Sequence, residues 1–381
     1  MKRWGEVMKT LEECRQEIDA IDAEIFRLFE ARMHVSKDVI LYKLAHDMEI
    51  FQPEREKIVI EKSKQRIQEE SLKEYGAKLS QAIMDLSKDY QAEFIPNDFE
   101  IKTQIPLNHP SLKVGYQGVE GAFGQVALET YFSKEVSMNH YDQFEDVFKA
   151  LQKDEIQYGI VPIENSSTGA INDVYDLIRN YGFYIVGEQS ISIAQHLLAL
   201  NEATLEDIKE VYSHPQGIAQ SIEFLDQHPL IRRFPYPNTA MAAKMVQETN
   251  DKSKAAIASK KAAELYGLNI LKENIHTDKT NHTRFIVIGK QMESNASYNR
   301  VSILCSLKHE VGALVTILNI MRNYNLNMVH IESRPIQSKP WQYYFYIDFE
   351  GNINDPHVLK ALNKMQHYTE SLRVLGTYRQ I

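Results

Sequence analysis

Over its first 92 residues the chain holds only two glycines, Gly5 and Gly76, and one proline, Pro53. So few breakers leave helix as the natural state. Leu11, Cys14, Ile18, Ile21, Ile25 and Leu28 recur at steps of three and four, and Val35, Val39 and Tyr42 continue the series. This spacing predicts a long amphipathic helix with a heptad-like stripe. Pro53 ends it, and Gln52-Pro53-Glu54 starts a second helix, since proline is tolerated in a first turn. A third helix is predicted over about 72–92. Helices this long in so short a segment bury little core in one copy, so a helical dimer is expected.

Residues 93–111 hold Pro96, Pro106 and Pro110 with no clear period, and read as a linker. From Lys113 the character changes. KVGYQG, YGIVPIENS, FYIVGEQSI, AQHLLAL, EVYSHP, AAIAS and TRFIVIG are short strands, several separated by helical stretches. The alternation predicts an α/β domain over 112–290 with largely parallel sheets, long enough for two lobes and a cleft. Residues 299–381 run strand, helix, strand, strand, helix, strand, the βαββαβ order of an α+β ferredoxin-like fold. The chain is therefore expected to be multidomain.

Hydrophobic residues are 43% and charged residues 25%, which excludes a disordered or collagen-like chain. A net charge of −9 argues against generic attraction to nucleic acid or an anionic membrane. No apolar run reaches a membrane span, and the N-terminus turns charged at once, unlike a signal peptide. A cytoplasmic location is expected, so the Asn-x-Ser/Thr sites at Asn165, Asn281 and Asn295 carry no glycosylation message. The two cysteines, Cys14 and Cys305, are too few for a disulfide framework. The 13 histidines form no HExxH or Cys/His set, so no metal is expected. No nucleotide cofactor is implied either.

Arg32 occupies a stripe position where an apolar residue is expected, and Lys43 lies eleven residues on, three helical turns, facing the same way. Two cations along a packed face need anions. Carboxylates of neighbouring helices would serve, and so would a small dicarboxylate ligand. Arg15 in CRQEID, Arg32 in ARMHV, Lys43 in LYKL, Arg55 and Glu56 in PEREK, and Ser87 and Gln91 in LSKDYQ together resemble the all-helical chorismate mutase family. The resemblance implies rearrangement of chorismate to prephenate, with no nucleophile and no proton transfer. Such catalysis holds a folded conformer and stabilises charge on the ether oxygen. By resemblance, Arg15 from a partner subunit and Arg32 bind the two carboxylates, and Arg55 supports the anionic pocket. Lys43 and Gln91 would bond the ether oxygen, Glu56 the ring hydroxyl, and Ser87 the substrate. Gln52 stands where many members have Asp, a departure that bears on hydroxyl binding.

In the middle segment the loop GVEGAFG precedes a helix and would present backbone N–H groups to a carboxylate or phosphate. Its spacing, Gly118, Gly121, Gly124, is not that of a dinucleotide loop. Polar clusters sit at strand ends: Glu164-Asn165-Ser166, Ser213-His214-Pro215-Gln216 and Asn281-His282-Thr283-Arg284-Phe285. Taken singly each is ordinary capping or turn chemistry. With NTAMAA, which holds Thr239, they resemble the prephenate dehydratase family, whose two α/β lobes are like a periplasmic binding protein. That resemblance implies that Thr283 assists the leaving hydroxyl and that Arg284 binds a carboxylate or orders the site. Glu164, Asn165, Ser166, His214, Gln216, Thr239 and Phe285 would contact substrate.

In the third segment Gly312-Ala313-Leu314-Val315 opens a helix and Glu332-Ser333-Arg334-Pro335 ends a strand. The pair resembles an ACT regulatory domain, and implies L-phenylalanine binding at a subunit interface. A helix N-terminus suits the ligand's carboxylate. In order along one chain, the three resemblances are those of the bifunctional chorismate mutase–prephenate dehydratase family. They imply consecutive activities on the small molecules chorismate and prephenate, inhibited by phenylalanine in a homodimer or homotetramer. An amino-acid sensor with one or both catalytic segments inactive, and a dehydratase preferring arogenate, are the alternatives.

Overall fold

The computed structural model describes residues 9–46, 48, 53–94, 103, 104, 106, 111–132 and 136–380, with only the backbone of Pro53 and Glu54. Gln52 and most of the expected linker lie outside the described residues. The chain divides into two compact units, Met1–Asp98 and Phe99–Ile381.

The first unit is three helices, α1 (Leu11–Ala45), α2 (Pro53–Arg66) and α3 (Lys73–Ala92). Thr10 caps α1 in a capping box with Glu13, satisfying backbone donors at the helix start. With 35 residues, α1 is about 52 Å long. Its only buried residues are Ser36 and Ile40, near its C-terminal end. Ile18, Ile21, Ile25 and Leu28 are each about half exposed, so among the described residues little covers the predicted stripe.

The second unit begins with a lobe of β1 (Lys113–Gln117), α4 (Phe123–Phe132), β2 (Ser137–Tyr141), α5 (Phe144–Gln152), β3 (Tyr158–Asn165), β4 (Gly169–Ala170), α6 (Asn172–Tyr181) and β5 (Tyr184–Ser192). The chain then crosses to a second lobe. This comprises β6 (His196–Ala199), β7 (Glu210–Ser213), α7 (Pro215–Gln220), α8 (Ile222–Asp226), β8 (Arg232–Pro235), α9 (Thr239–Thr249), β9 (Lys254–Ala258), α10 (Lys260–Tyr266) and β10 (Asn269–Lys272). It returns as β11 (His282–Gly289), which inserts between β3 and β5, antiparallel to both. The sheet orders are β2-β1-β3-β11-β5 and β10-β6-β9-β7-β8. Both sheets are mixed, not largely parallel as expected. A chain that enters the second lobe and comes back must lay its return strand against the outgoing direction.

The third segment is β12 (Arg300–Leu307), α11 (Ala313–Asn323), β13 (Met328–Pro335), β14 (Tyr343–Glu350), α12 (Pro356–Tyr368) and β15 (Thr369–Tyr378). Its antiparallel sheet has the order β13-β14-β12-β15, with one face under the two helices. The centre of the other face does not meet solvent. Leu304, Tyr346, Leu375 and Tyr378 share one core with Tyr175, Ile185 and Ile286 of the first lobe. The two segments are welded by that core, which is why they form one compact unit. Gly376 of β15 sits where a Cβ would run into the Ile185 carbonyl. Gly376→Ala is therefore expected to cost about 1–3 kcal/mol, as overpacking does. Denaturant unfolding followed by near-UV dichroism measures it; an unchanged midpoint would mean the two sheets are not held this close.

Candidate active sites

In the first unit the structure brings Arg32, Lys43, Arg55, Glu56, Ser87 and Gln91 around one cavity of about 300 Å³. Each helix contributes. Arg32 and Lys43 come from α1, Arg55 and Glu56 from the first turn of α2, and Ser87 and Gln91 from the end of α3. Val35, Val39, Val59 and Met84 form the apolar wall. Arg32 donates to the Ser87 hydroxyl, which itself donates to the Ile83 carbonyl at 2.8 Å. Lys88 completes the lining; it bridges Glu56 at 3.2 Å and Asp85 at 2.9 Å. Sequence reasoning passed over Lys88, although it lies inside the quoted LSKDYQ stretch. Four cations against one carboxylate make the cavity strongly positive, a field suited to a dianion. Burial pulls the Arg32 and Lys43 side chains below their usual basicity, so an incoming anion meets partly desolvated cations. Arg15 is not in this cavity. It is exposed on α1, 3.9 Å from Glu12, and about 25 Å of helix separates it from Arg32.

In the second unit a cavity of about 340 Å³ is lined from both lobes. Thr283 and Phe285 reach it from β11, Asn165 from the end of β3, and His214, Gln216 and Thr239 from the second lobe. Register explains the central pair, for Thr283 lies directly opposite Asn165. The Asn165 amide donates to Thr283 Oγ1 at 2.9 Å, to Asn281 Oδ1 at 2.8 Å and to the His282 carbonyl at 3.1 Å. Its own Oδ1 accepts from the Ser167 and Thr168 amides, both at 3.1 Å. Asn165 is thus locked, and with its oxygen already accepting, the Thr283 hydroxyl has its proton left to donate. Thr283 itself is buried.

Among the described residues the cavity lining has no Arg, Lys, Asp or Glu. What it offers an anion instead is helix starts. Phe123 and Gly124 open α4, Gln216 and Gly217 open α7, and Thr239 opens α9. Backbone N–H groups at these ends favour anions. The GVEGAFG loop makes one such start: Gly118 and Gly121 have φ of +117° and +86°, conformations open mainly to glycine. His214 Nδ1 caps α7 by accepting from the Gln216 amide at 3.2 Å, which puts the proton of the neutral ring on Nε2. Gln216 Nε2 reaches Thr168 Oγ1 across the lobes at 3.4 Å.

Three expected contacts fall elsewhere. Ser166 is exposed; its hydroxyl accepts from the His282 amide at 2.9 Å and ties the loop to β11. Glu164 and Arg284 do not line the cavity; they pair with each other at 3.2 Å on the opposite face of the sheet. Successive strand residues point to opposite faces, so Arg284 must turn away where Thr283 and Phe285 turn in. Gln195, Gln220, Asn238 and Thr168 line the cavity and escaped sequence reasoning. Gln220 follows Gln216 by four residues, one face of a helix, and that spacing was the available signal.

In the third segment Gly312 takes φ +84° as the N-cap of α11. Ala313 and Leu314 pack toward the core, while Val315 points outward, 57% exposed. Along β13 the burial alternates: Glu332 and Arg334 are half-buried, Ser333 and Pro335 exposed. Arg334 pairs with Asp176 of α6 at 2.7 Å. Of these two motifs, one residue therefore already bonds the first α/β lobe.

Known proteins share this architecture in the same order. The chorismate mutase type II family matches residues 14–92, the prephenate dehydratase family 114–293 and the ACT domain family 301–366. A bifunctional chorismate mutase/prephenate dehydratase of Aquifex aeolicus is 33% identical over 378 residues, covering 97% of this chain and 98% of that one. One from Enterobacter agglomerans is 32% identical, covering 96% and 94%. The crystal structure of an Arthrobacter aurescens prephenate dehydratase in complex with L-Phe superposes with a TM-score of 0.65 at 27% identity, covering 71% of this chain and 90% of that one. With all three families matched in one order and relatives of this identity along nearly the whole length, this protein belongs to the bifunctional chorismate mutase/prephenate dehydratase family.

Proposed function

We propose that the protein rearranges chorismate to prephenate in the helical unit and converts prephenate to phenylpyruvate between the two α/β lobes. Phenylalanine at the ACT sheet inhibits it. The observation that carries this reading is the contrast between the cavities. One is strongly cationic; the other has no Arg or Lys among the described residues of its lining and holds a buried threonine hydroxyl with a proton to donate.

For the mutase, Arg32 binds a carboxylate, and Arg55 and Lys88 add positive field. Lys43 and Gln91 hydrogen-bond the ether oxygen as its charge grows, the form of stabilisation worth most in a dry site. Glu56 accepts from the ring hydroxyl. Gln52 is proposed to help there in place of a carboxylate. For the dehydratase, prephenate loses carbon dioxide and its ring hydroxyl as the ring becomes aromatic. The departing hydroxide takes up one proton and leaves as water. Thr283 donates a hydrogen bond to that oxygen, and helix starts hold the carboxylates. Asn165, His214, Gln216, Thr239 and Phe285 position the substrate. Glu164, Ser166 and Arg284 act from behind, by fixing β3 and β11.

The mutase is proposed to need a second copy, and the assembly is at least a homodimer. The uncovered stripe of α1 supplies the surface, and Arg15, too far along α1 for its own cavity, supplies the second carboxylate ligand to its partner's. Exposed Val311, Val315 and Ile331 offer the ACT sheet a second contact of the same kind. Mixing Arg15→Ala and Arg32→Ala proteins tests this. Each alone is expected to be inactive as a mutase, while the mixed dimer regains one intact cavity. No recovery after subunit exchange, verified by mass spectrometry, would sink the shared site. A cytoplasmic location is proposed on the acidic charge and on the lack of any described helix long and apolar enough to cross a membrane.

The direct experiment supplies chorismate alone and follows prephenate and phenylpyruvate with and without L-phenylalanine. Phenylpyruvate that appears, and falls when phenylalanine is added, is the expected result. Prephenate accumulating would instead favour an inactive or arogenate-preferring dehydratase, and phenylalanine binding with neither reaction would favour the sensor.

A further inference from the structure

Arg284 turns away from the cavity, yet it shares a peptide bond with Thr283. Its guanidinium is held by three carboxylates. Nη1 donates to Asp348 at 2.7 Å and to Glu188 at 3.4 Å, and Nε donates to Glu164 at 3.2 Å. Glu164 and Glu188 belong to β3 and β5, the strands flanking β11. Asp348, the nearest partner, belongs to β14 of the ACT sheet. That carboxylate is itself fixed from behind, for Ser302 of β12 donates to its second oxygen at 2.6 Å, and Tyr378 of β15 bonds Ser302 at 2.8 Å. Glu188, Asp348, Ser302 and Tyr378 are buried, Arg284 is 17% exposed, and Glu164 is one-third exposed.

A buried charge cluster of this kind does not deform gradually. Removing one partner strands the others in a low-dielectric setting, so the cluster exchanges between discrete pairings. Arg284 has a spare donor for such an exchange: Nη2 is buried and has no hydrogen-bond partner among the described residues. The register of β11 against β3 also breaks between Arg284 and Phe285, so the strand is already irregular where the cluster pulls on it. The edge strand β13, which carries the Glu332–Pro335 motif, touches the same cluster. His330 lies 3.7 Å from Glu164 and bonds the Tyr175 hydroxyl of α6 at 2.8 Å.

We propose that the Arg284–Asp348 pair is the latch through which phenylalanine on the ACT sheet is felt at the dehydratase hydroxyl. Arg284 is a positioning residue for Thr283, and Asp348 reports the state of the sheet. This rests on the functional reading above. When the sheet shifts, Asp348 moves Arg284, and Arg284 moves Thr283 through their shared peptide. A displacement on the order of 1 Å at a reacting group is enough to cost about a hundredfold in rate.

The test is Asp348→Asn in the full-length protein, which keeps the shape and removes the charge. Dehydration of supplied prephenate is measured against rising L-phenylalanine, and phenylalanine binding is measured separately by calorimetry. The variant should bind phenylalanine as the parent does, and its inhibition is read relative to its own uninhibited rate. Its half-inhibiting concentration should rise at least about tenfold, the scale of an ordinary coupling free energy. Arg284→Lys should also desensitise, and the double variant should be no less sensitive than the single ones, because the pair acts as one device. If Asp348→Asn fails to fold, Ser302→Ala loosens the same carboxylate more gently and should shift inhibition in the same direction. Full sensitivity in a folded Asp348→Asn protein would overturn the latch, and so would desensitisation that tracks lost phenylalanine binding. A parent enzyme that neither binds phenylalanine nor is inhibited by it would instead overturn the regulatory reading itself, and the latch with it.

Discussion

Replacing Thr283 by Ala should lower the dehydratase kcat by about 10²–10³ while leaving the mutase unchanged. Asn165 fills one acceptor position on the Thr283 oxygen, which leaves the hydroxyl proton available for donation into the cavity that Thr283 lines. Losing a preorganised donor at a site of developing charge costs about 3–4 kcal/mol of barrier. The fold should bear the change. The Asn165 amide keeps the Asn281 and His282 oxygens as acceptors, and one lost hydrogen bond costs only about 1 kcal/mol. Thr283→Ser keeps the hydroxyl and should retain most of the rate. KM should move little in either variant, because the interaction strengthens only in the transition state. Single-turnover assays on supplied prephenate measure this, with mutase activity in the same sample as the control. An alanine variant within threefold of the parent would remove Thr283 from the chemistry.

The central strands were legible in the sequence because burial on both faces writes itself as a continuous apolar run, as in YGIVPIENS and TRFIVIG. The strands that escaped, β2, β8 and β10, are all at sheet edges, and β4 is a two-residue flap on β3. Their sequences, SMNHY, RRFP and NILK, are short and half polar, as suits an edge. Strand direction escaped too. Nothing in TRFIVIG says that it returns from a second lobe; that is a property of the path, not of the segment.

The sites divide along the same line. On α1 a single helix fixes the phase, so Arg32 and Lys43 could be placed on one face from spacing alone. In the dehydratase, Thr283 and Arg284 were both expected at the site; alternation along β11 separates them, but does not say which face is the cleft. That depends on where the second lobe closes, and it decides that Arg284 meets protein carboxylates and not substrate. Asp348 was invisible for the same reason, since its partner lies 64 residues away and in another fold. The source of anion binding was half legible. The glycine loop before α4 announced one helix start, whereas convergence of three starts on one cavity is a tertiary fact.

Arg32→Ala should reduce the mutase at least about a hundredfold and spare dehydration of supplied prephenate. Arg32 is one of four cations around the cavity, so loss of charge alone would be partly covered by Lys43, Arg55 and Lys88. What the others do not supply is the planar fork in this position, which matches a carboxylate by two parallel hydrogen bonds. Arg32→Lys separates the two contributions. It keeps the charge and gives up the fork, and should fall between the parent and the alanine variant. The unit should stay folded, because the Ser87 hydroxyl retains the Ile83 carbonyl as its partner. Burial already pulls the Arg32 guanidinium below its usual basicity, so the folded chain without substrate gains little from holding it there. Its removal should therefore cost the unliganded protein less stability than it costs the transition state. Thermal melts of parent and variant, with and without a dicarboxylate transition-state analogue, read this directly. The analogue should raise the parent's melting temperature and not the variant's, and equal protection of both would show that Arg32 does not bind the substrate's carboxylate.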